Sequence, residues 1–300
     1  VPMKKLPKRK TNAKLKTIDF LKSLCFMCPS FLGVCVFFIV PFGVVVYYSL
    51  IDGVTSHNFV FLDNFIKLSQ NSVFRMAAKN TLRFSLTAVP LAVVLAIVLA
   101  LLLECRIPLK SQFRTFFLSP MMVPVASVVL IWQVLFNYNG TINVFLSTFG
   151  ISQIDFFQSK YCLVVVILLF LWKNLGYNMI LFMAGIANIP KDLLEVADVC
   201  GASKMYKFFA IKLRYLSPTV LFVTILSMIN SFKIFREVYL LAGNYPYEDL
   251  YTLQHFMNNT FASFDYQKLS AAAVIMAVVM VILIALLFAI ENWFGKDVEG

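Results

Sequence analysis

Six apolar runs, each about twenty residues or longer, recur along this 300-residue sequence and leave it few folds to adopt. They extend from about Leu24 to Leu50, Phe84 to Leu103, Phe116 to Phe136, Tyr161 to Ile189, Leu216 to Phe235 and Ser270 to Ile290. About 20 apolar residues in a helix cross the hydrocarbon of a bilayer. Charged residues make up only 14% of the chain and hydrophobic ones 60%, where a soluble domain carries roughly 25% charged. Too few charges remain to cover a water-facing surface. The expected fold class is therefore all-α, a polytopic membrane protein with about six transmembrane helices. The first run is too long for a signal peptide, and no small-residue cleavage site precedes a soluble domain, so it is read as a span.

The formal net charge of +11 fits either nucleic-acid binding or the cytoplasmic loops of a membrane protein. Its distribution favours the second. The N-terminal tail carries Lys4, Lys5, Lys8, Arg9, Lys10, Lys14, Lys16 and Lys22. With six spans, loops 104–115 and 190–215 and the C-terminus share its side, adding Arg106, Lys110, Arg114, Lys191, Lys204, Lys207, Lys212, Arg214 and Lys296. That places 17 of the 26 basic residues on one side, so both termini are expected in the cytoplasm. The tail then fixes topology and attracts anionic membrane lipid weakly. No folded basic surface is visible, and no nucleic-acid partner is expected. The chain divides into a basic tail (1–23), a transmembrane domain (24–290) containing a cytoplasmic loop (190–218), and a C-terminal tail (291–300).

Cys25, Cys28, Cys35, Cys105, Cys162 and Cys200 lie mostly in or beside apolar runs. Cys25 and Cys28 form a lone CxxC inside a hydrophobic segment, which reads as apolar packing. His57 and His255 are too few and too far apart for a metal cluster, so no metal site is expected. Pro29, Pro41, Pro90, Pro120 and Pro124 fall within or at the edges of spans. Each frees a backbone carbonyl that lipid cannot satisfy, so these helices must pack on protein or line a cavity.

The segment from Ile189 to Pro218 is the most informative. Pro190 suits a helix start, and Asp192 and Glu195 place negative charge where the helix dipole favours it. Gly201 fits a left-handed helix stop, and Ser203 can cap a second helix. Phe208, Phe209 and Ile211 give that second helix an apolar side. The loop resembles the EAA loop of ABC importer permeases, whose pattern is Glu-Ala-Ala, three residues, Gly, nine residues, Ile-x-Leu-Pro. Glu195, Ala197, Gly201, Ile211 and Leu213 match it in type and order. Val196 replaces the middle alanine and Arg214 stands where proline is usual.

The resemblance extends along the chain to the maltose-type sugar importers. Phe61-Leu-Asp-Asn-Phe65 and Asn80-Thr-Leu82 look like that branch's first outer loop and entry to its second span. Arg114-Thr-Phe-Phe-Leu-Ser-Pro120, Trp132 and Gly140-Thr-Ile-Asn143 follow in order. Ser231-Phe-Lys-Ile-Phe235 and Gly243-Asn-Tyr-Pro246 resemble its fifth span and following loop. The resemblance implies a type I ABC importer permease fold and a permease subunit of an ATP-driven, binding-protein-dependent oligosaccharide importer in the bacterial plasma membrane. It also implies a second homologous permease, two cytoplasmic ATPase subunits and an extracytoplasmic sugar-binding protein as partners. Glu195, Ala197, Gly201, Ala202, Ile211 and Leu213 would seat on the ATPase, the small residues allowing close approach.

No cofactor is expected on this chain itself. A P-loop needs Gly-x4-Gly-Lys-[Ser/Thr]. The lone Gly-Lys pair, Gly295-Lys296, has Ile290 and Asp297 at the other required positions. ATP and Mg would be held by the partner ATPases. No catalytic arrangement stands out, so the chain is read as a transport subunit and not an enzyme.

Polar residues interrupt two spans. Lys173 is followed by Asn174, Tyr177 and Asn178 in the fourth, and Asn230, Lys233, Arg236 and Glu237 are read as one face of the fifth. In maltose-type permeases a sugar pocket lies among these helices, so Lys173, Asn174, Tyr177, Asn178, Asn230, Lys233 and Arg236 are candidate lining residues. Helix–helix hydrogen bonding or snorkelling is the alternative. A mid-bilayer lysine costs about 2.5–3.5 kcal/mol on insertion scales. An acidic oligosaccharide would supply Lys173, Lys233 and Arg236 with the countercharge that a neutral one lacks.

Two other classes stand beside the importer: a stand-alone secondary transporter driven by an ion gradient, and a membrane-embedded enzyme. The six-span reading is checked by reporter fusions. A fusion after Gly300 is expected to report a cytoplasmic position and one within 137–160 an external position; an external C-terminus would break the topology.

Overall fold

The computed structural model describes residues 13–53, 56–104 and 108–295. Much of the basic tail, Cys105, Arg106, Lys296 and the rest of 296–300 lie outside the described residues. Among those described the regular structure is helical, with one isolated bridge between Ile51 and Phe59. The helices are α1 (Ala13–Val34), α2 (Val40–Ser49), α3 (Asp63–Gln70), α4 (Ser72–Glu104), α5 (Lys110–Met122), α6 (Val125–Phe136), α7 (Thr141–Ser147) and α8 (Cys162–Ala187). They continue with α9 (Lys191–Val199), α10 (Lys204–Tyr206), α11 (Leu213–Tyr215), α12 (Ser217–Phe232), α13 (Phe235–Ala242), α14 (Leu253–Ala262) and α15 (Tyr266–Gly295). Six helical segments are long and apolar enough to cross a membrane. The expected fold class stands.

Proline shapes two of the crossings. Val40 donates to the Cys35 carbonyl, five residues back, in a π turn over Cys35–Ile39 that joins α1 to α2. Pro41 follows at once and has no N–H to give the Phe37 carbonyl, so a widened turn replaces the regular ladder. The third crossing is expected as one helix over 116–136, but it is two, α5 and α6, broken at Val123 and Pro124. Proline cannot donate, and its ring pushes the preceding residue to extended backbone, as Val123 shows with ψ 131°. The two pieces run beside α8 in turn: Phe117 lies against Gly176, and the Trp132 indole N–H reaches the Val165 carbonyl at 3.4 Å.

The second span also differs from expectation. Helix α4 starts at Ser72, about three turns before the apolar run. Its extra turns carry Arg75, Lys79 and Arg83 outward, but they bury Phe74, Ala77, Asn80 and Thr81 inward. A hydropathy window averages these two faces and misses the helix.

Small residues build the bundle. Ala88, Ala92, Ala96 and Ala100 recur every fourth position and are fully buried on the side of α4 that packs against α8. Lipid tails are as apolar as leucine, so helices in a bilayer associate by close van der Waals fit, which such ridges permit. Two clusters flank this seam. Phe84, Trp132, Phe136, Leu169 and Phe170 belong to one; Ile97, Leu103, Met179, Phe182 and Val223 belong to the other.

Outside the spans, α14 rests on α4 and α15. Buried His255 closes a capping box with Thr252 at its start, and its ring stacks edge-on to Phe235. Burial pushes the His255 pKa down to about 4, so the imidazole is neutral at pH 7.

Gly176 is where backbones come closest. A Cβ there would sit 1.8 Å from the Phe117 carbonyl oxygen, whereas at Gly43 it would meet nothing within 4 Å. Gly176→Ala is therefore expected to destabilise the protein by about 1–3 kcal/mol through backbone displacement, with Gly43→Ala near neutral. Thermal unfolding in detergent checks the contrast; equal effects would refute the close approach.

Candidate functional site: a loop hairpin and a polar ladder

The loop 190–218 folds as a compact hairpin. Pro190 precedes α9, and Asp192 lies in its first turn. The helix ends in a Schellman motif: Ala202 N–H donates to the Ala197 carbonyl at 2.9 Å and Gly201 N–H to that of Asp198 at 3.0 Å. Gly201 has φ +73°, the left-handed region where a side chain costs about 1–2 kcal/mol. The Ser203 hydroxyl accepts from the Tyr206 N–H at 3.2 Å, capping α10. The expected stop and cap both form. The second arm is not one regular helix: a π turn over Lys207–Lys212 joins α10 to α11.

Two ion pairs hold the hairpin. Lys207 pairs with Asp198 and ties its arms together, while Lys212 pairs with Glu104, the last residue of α4, at 2.6 Å. Glu195, Ala197, Gly201 and Ala202 lie on α9 and its turn. Ile211 and Leu213 lie on the second arm and are half-buried. Val196, Met205 and Tyr206 are exposed, and Val199 is 90% exposed. Exposed apolar residues clustered on one polar loop mark a surface that another molecule covers. Val196, a departure from the motif in the sequence, contributes to that surface.

Within the bundle, the candidate lining residues form a ladder. Asn178 donates to the Ser227 hydroxyl at 2.9 Å, both buried. Asn230 donates to the Asn174 side-chain oxygen at 3.0 Å, and Asn174 donates to the Phe170 carbonyl at 2.8 Å. Lys173 forms an ion pair with Glu237, their side chains 22% and 5% exposed. Tyr177 is half-buried on the same helix. Lys173, Asn174, Asn178 and Asn230 are thus brought together, by hydrogen bonds between helices.

Lys233 and Arg236 are not brought to the ladder. The fifth span breaks at Lys233 and Ile234, so Asn230 and Glu237 do not share one continuous helix face with them. Both cations are exposed, and Glu237 turns inward to Lys173 and not to its neighbour Arg236. Lys173 therefore has its countercharge within the chain, and its presence does not call for an acidic substrate.

Three partners were not legible in the sequence: Glu104, Glu237 as the mate of Lys173, and Gln133. The Gln133 amide caps α13 at the Leu240 and Leu241 carbonyls. The motif asparagines of the outer loops have a common task. Asn64 binds the Ser49 and Ile51 carbonyls, Asn80 those of Glu248 and Tyr251, and Asn143 those of Asn137, Tyr138 and Ile154. Each satisfies backbone carbonyls of the connecting segments.

A family model described as binding-protein-dependent transport system inner membrane component matches residues 92–300. The arabinooligosaccharides transport system permease protein AraP of Bacillus subtilis is 27% identical, over 87% of this chain and 85% of its own. A crystal structure of a bacterial ABC transporter involved in import of the acidic polysaccharide alginate superposes with a TM-score of 0.80 at 21% identity, covering 94% of this chain and 99% of that one. The alginate transporter in complex with a periplasmic protein bound to alginate pentasaccharide superposes equally well, at 0.80 and 20% identity, over 93% and 96% of the two chains.

The Lys173–Glu237 pair is tested by unequal losses. Removing one partner of a buried pair strands the other charge, so Lys173→Met or Glu237→Gln is expected to cost about 3–5 kcal/mol. The double variant Lys173→Met/Glu237→Leu should cost less than either. Thermal unfolding of the solubilised protein reads this; additive losses would refute the pairing.

Proposed function

The chain belongs to the family of binding-protein-dependent transport system inner membrane components, and on that premise we propose that its loop hairpin is the seat for an ATPase that drives oligosaccharide import. The chain is an importer permease, a transport subunit and not an enzyme, with the fold of type I ABC importer permeases. Membership sets aside the secondary transporter and the membrane enzyme. A second permease and two ATPase subunits carrying ATP and Mg complete the assembly on this reading. A sugar-binding protein delivers cargo from outside. The setting is a bacterial plasma membrane, with both termini and the hairpin in the cytoplasm.

The hairpin carries the proposal. Its shape is fixed by main-chain hydrogen bonds and the Asp198–Lys207 pair, while Val196, Val199, Met205 and Tyr206 are exposed among the described residues. Rigid shape and open apolar surface together are what a docking element needs. Glu195, Ala197, Gly201 and Ala202 lie on the arm and turn that would enter the ATPase groove. Ile211 and Leu213 anchor the second arm.

For the cargo, an oligosaccharide agrees with the relatives: AraP belongs to an arabinooligosaccharides system, and the alginate transporter takes an acidic polysaccharide. Lys173, Asn174, Tyr177 and Asn230 form the polar face that cargo hydroxyls would meet, and Asn178 is buried. Such a face suits many hydroxyls and no obligatory charge. Lys233 and Arg236 are exposed cations apart from the ladder, available to an acidic cargo.

Gly201→Asp tests the hairpin. A Cβ at 201 would meet no atom of the described residues within 4 Å, so on this reading harm comes from the φ constraint and from the mate that approaches. In the reconstituted assembly the variant should reach the membrane yet lose uptake, and its ATP hydrolysis should stop responding to loaded binding protein. Full uptake with normal stimulation would overturn the proposal.

A further inference from the structure

We infer that α4 is the rod through which displacement of the hairpin reaches the far side of the protein, with Lys212 and Glu104 as the positioning pair at its near end. The inference rests on the hairpin being an ATPase seat.

At the near end the contact is half-buried: the Lys212 and Glu104 side chains are 19% and 39% exposed at 2.6 Å. Glu104 is the last described residue of α4. Its partner Lys212 comes from the second arm of the hairpin, 108 residues further along. The pair thus fastens the hairpin to a helix with which it has no direct covalent link. An exposed ion pair contributes little to stability, so its value here is geometric.

The middle of α4 is unbroken. It runs 33 residues without interruption, even at Pro90, a length of about 50 Å at 1.5 Å per residue. The third and fifth crossings are each cut in two, at Val123–Pro124 and Lys233–Ile234. A jointed helix absorbs displacement by bending at its joint, whereas a continuous one passes it on.

The far end is fastened to a different segment. Asn80 donates to the carbonyls of Glu248 and Tyr251, at 2.5 and 3.1 Å, and the Leu253 N–H donates to the Thr81 hydroxyl at 2.9 Å. All three bonds grip the backbone of 248–253, which connects α13 to α14. Helix α13 carries Glu237, paired with Lys173 on α8. A shift of α4 along α8 would therefore drag 248–253 and pull α13 against the ladder. Chains of packed elements with fixed ends are the physical route by which distant sites couple.

The test uses the reconstituted transporter with its ATPase, partner permease and sugar-loaded binding protein, and reads sugar taken up per ATP hydrolysed. Glu104→Gln and Lys212→Met are each expected to lower this ratio about fivefold or more, the lower range of common coupling energies. The charge swap Glu104→Lys/Lys212→Glu should restore it, because it exchanges the two signs and keeps the attraction between them. Asn80→Ala, at the opposite end and remote from the hairpin, should lower the ratio as well. Wild-type ratios in the single variants, or a swap no better than they are, would overturn the rod. A normal ratio in Asn80→Ala would overturn its far end. Absence of any ATPase from the wild-type assembly would instead overturn the hairpin reading itself.

Discussion

The seating of α4 on α8 is the contact around which the rest of the bundle is arranged. Four alanines at four-residue spacing leave no side chain to hold the helices apart. Gly176, on α8, does the same for α5. In lipid the hydrophobic effect gives no reason for helices to prefer each other over acyl chains, so closeness must come from missing atoms. Once α8 is clasped on both sides, its polar residues are committed to neighbours. Asn178, Asn174 and Lys173 then meet Ser227, Asn230 and Glu237 from the fifth crossing and α13.

That arrangement explains what the sequence could and could not show. Apolar runs depend only on composition over about twenty residues, so the crossings were legible, as was the hairpin, whose stop and cap are local signals at Gly201 and Ser203. Pairings over long separations were not. Lys173 signals that a countercharge exists, but nothing near it in sequence distinguishes Glu237, 64 residues on, from cargo. Breaks inside spans were half legible: Pro124 announces one, whereas Lys233–Ile234 carries no proline and follows from how α12 and α13 are held. The outer turns of α4 were hidden because their polar residues cancel their buried ones in any average.

Polar groups in this protein fall into two kinds of use. Asn64, Asn80 and Asn143 serve the chain itself, supplying donors to backbone carbonyls of the connecting segments. The ladder residues also satisfy each other, yet Lys173, Asn174, Tyr177 and Asn230 remain partly open. A side chain that is bonded and still reachable can exchange its partner for a cargo hydroxyl at small net cost.

The Schellman turn has a consequence for how such proteins diverge. The hairpin's form is written in main-chain bonds from Gly201 and Ala202, with one glycine as its chief requirement. The outward side chains at Val196, Val199 and Met205 hold none of those bonds. Drift at these positions can thus remodel the surface while the turn beneath keeps its geometry.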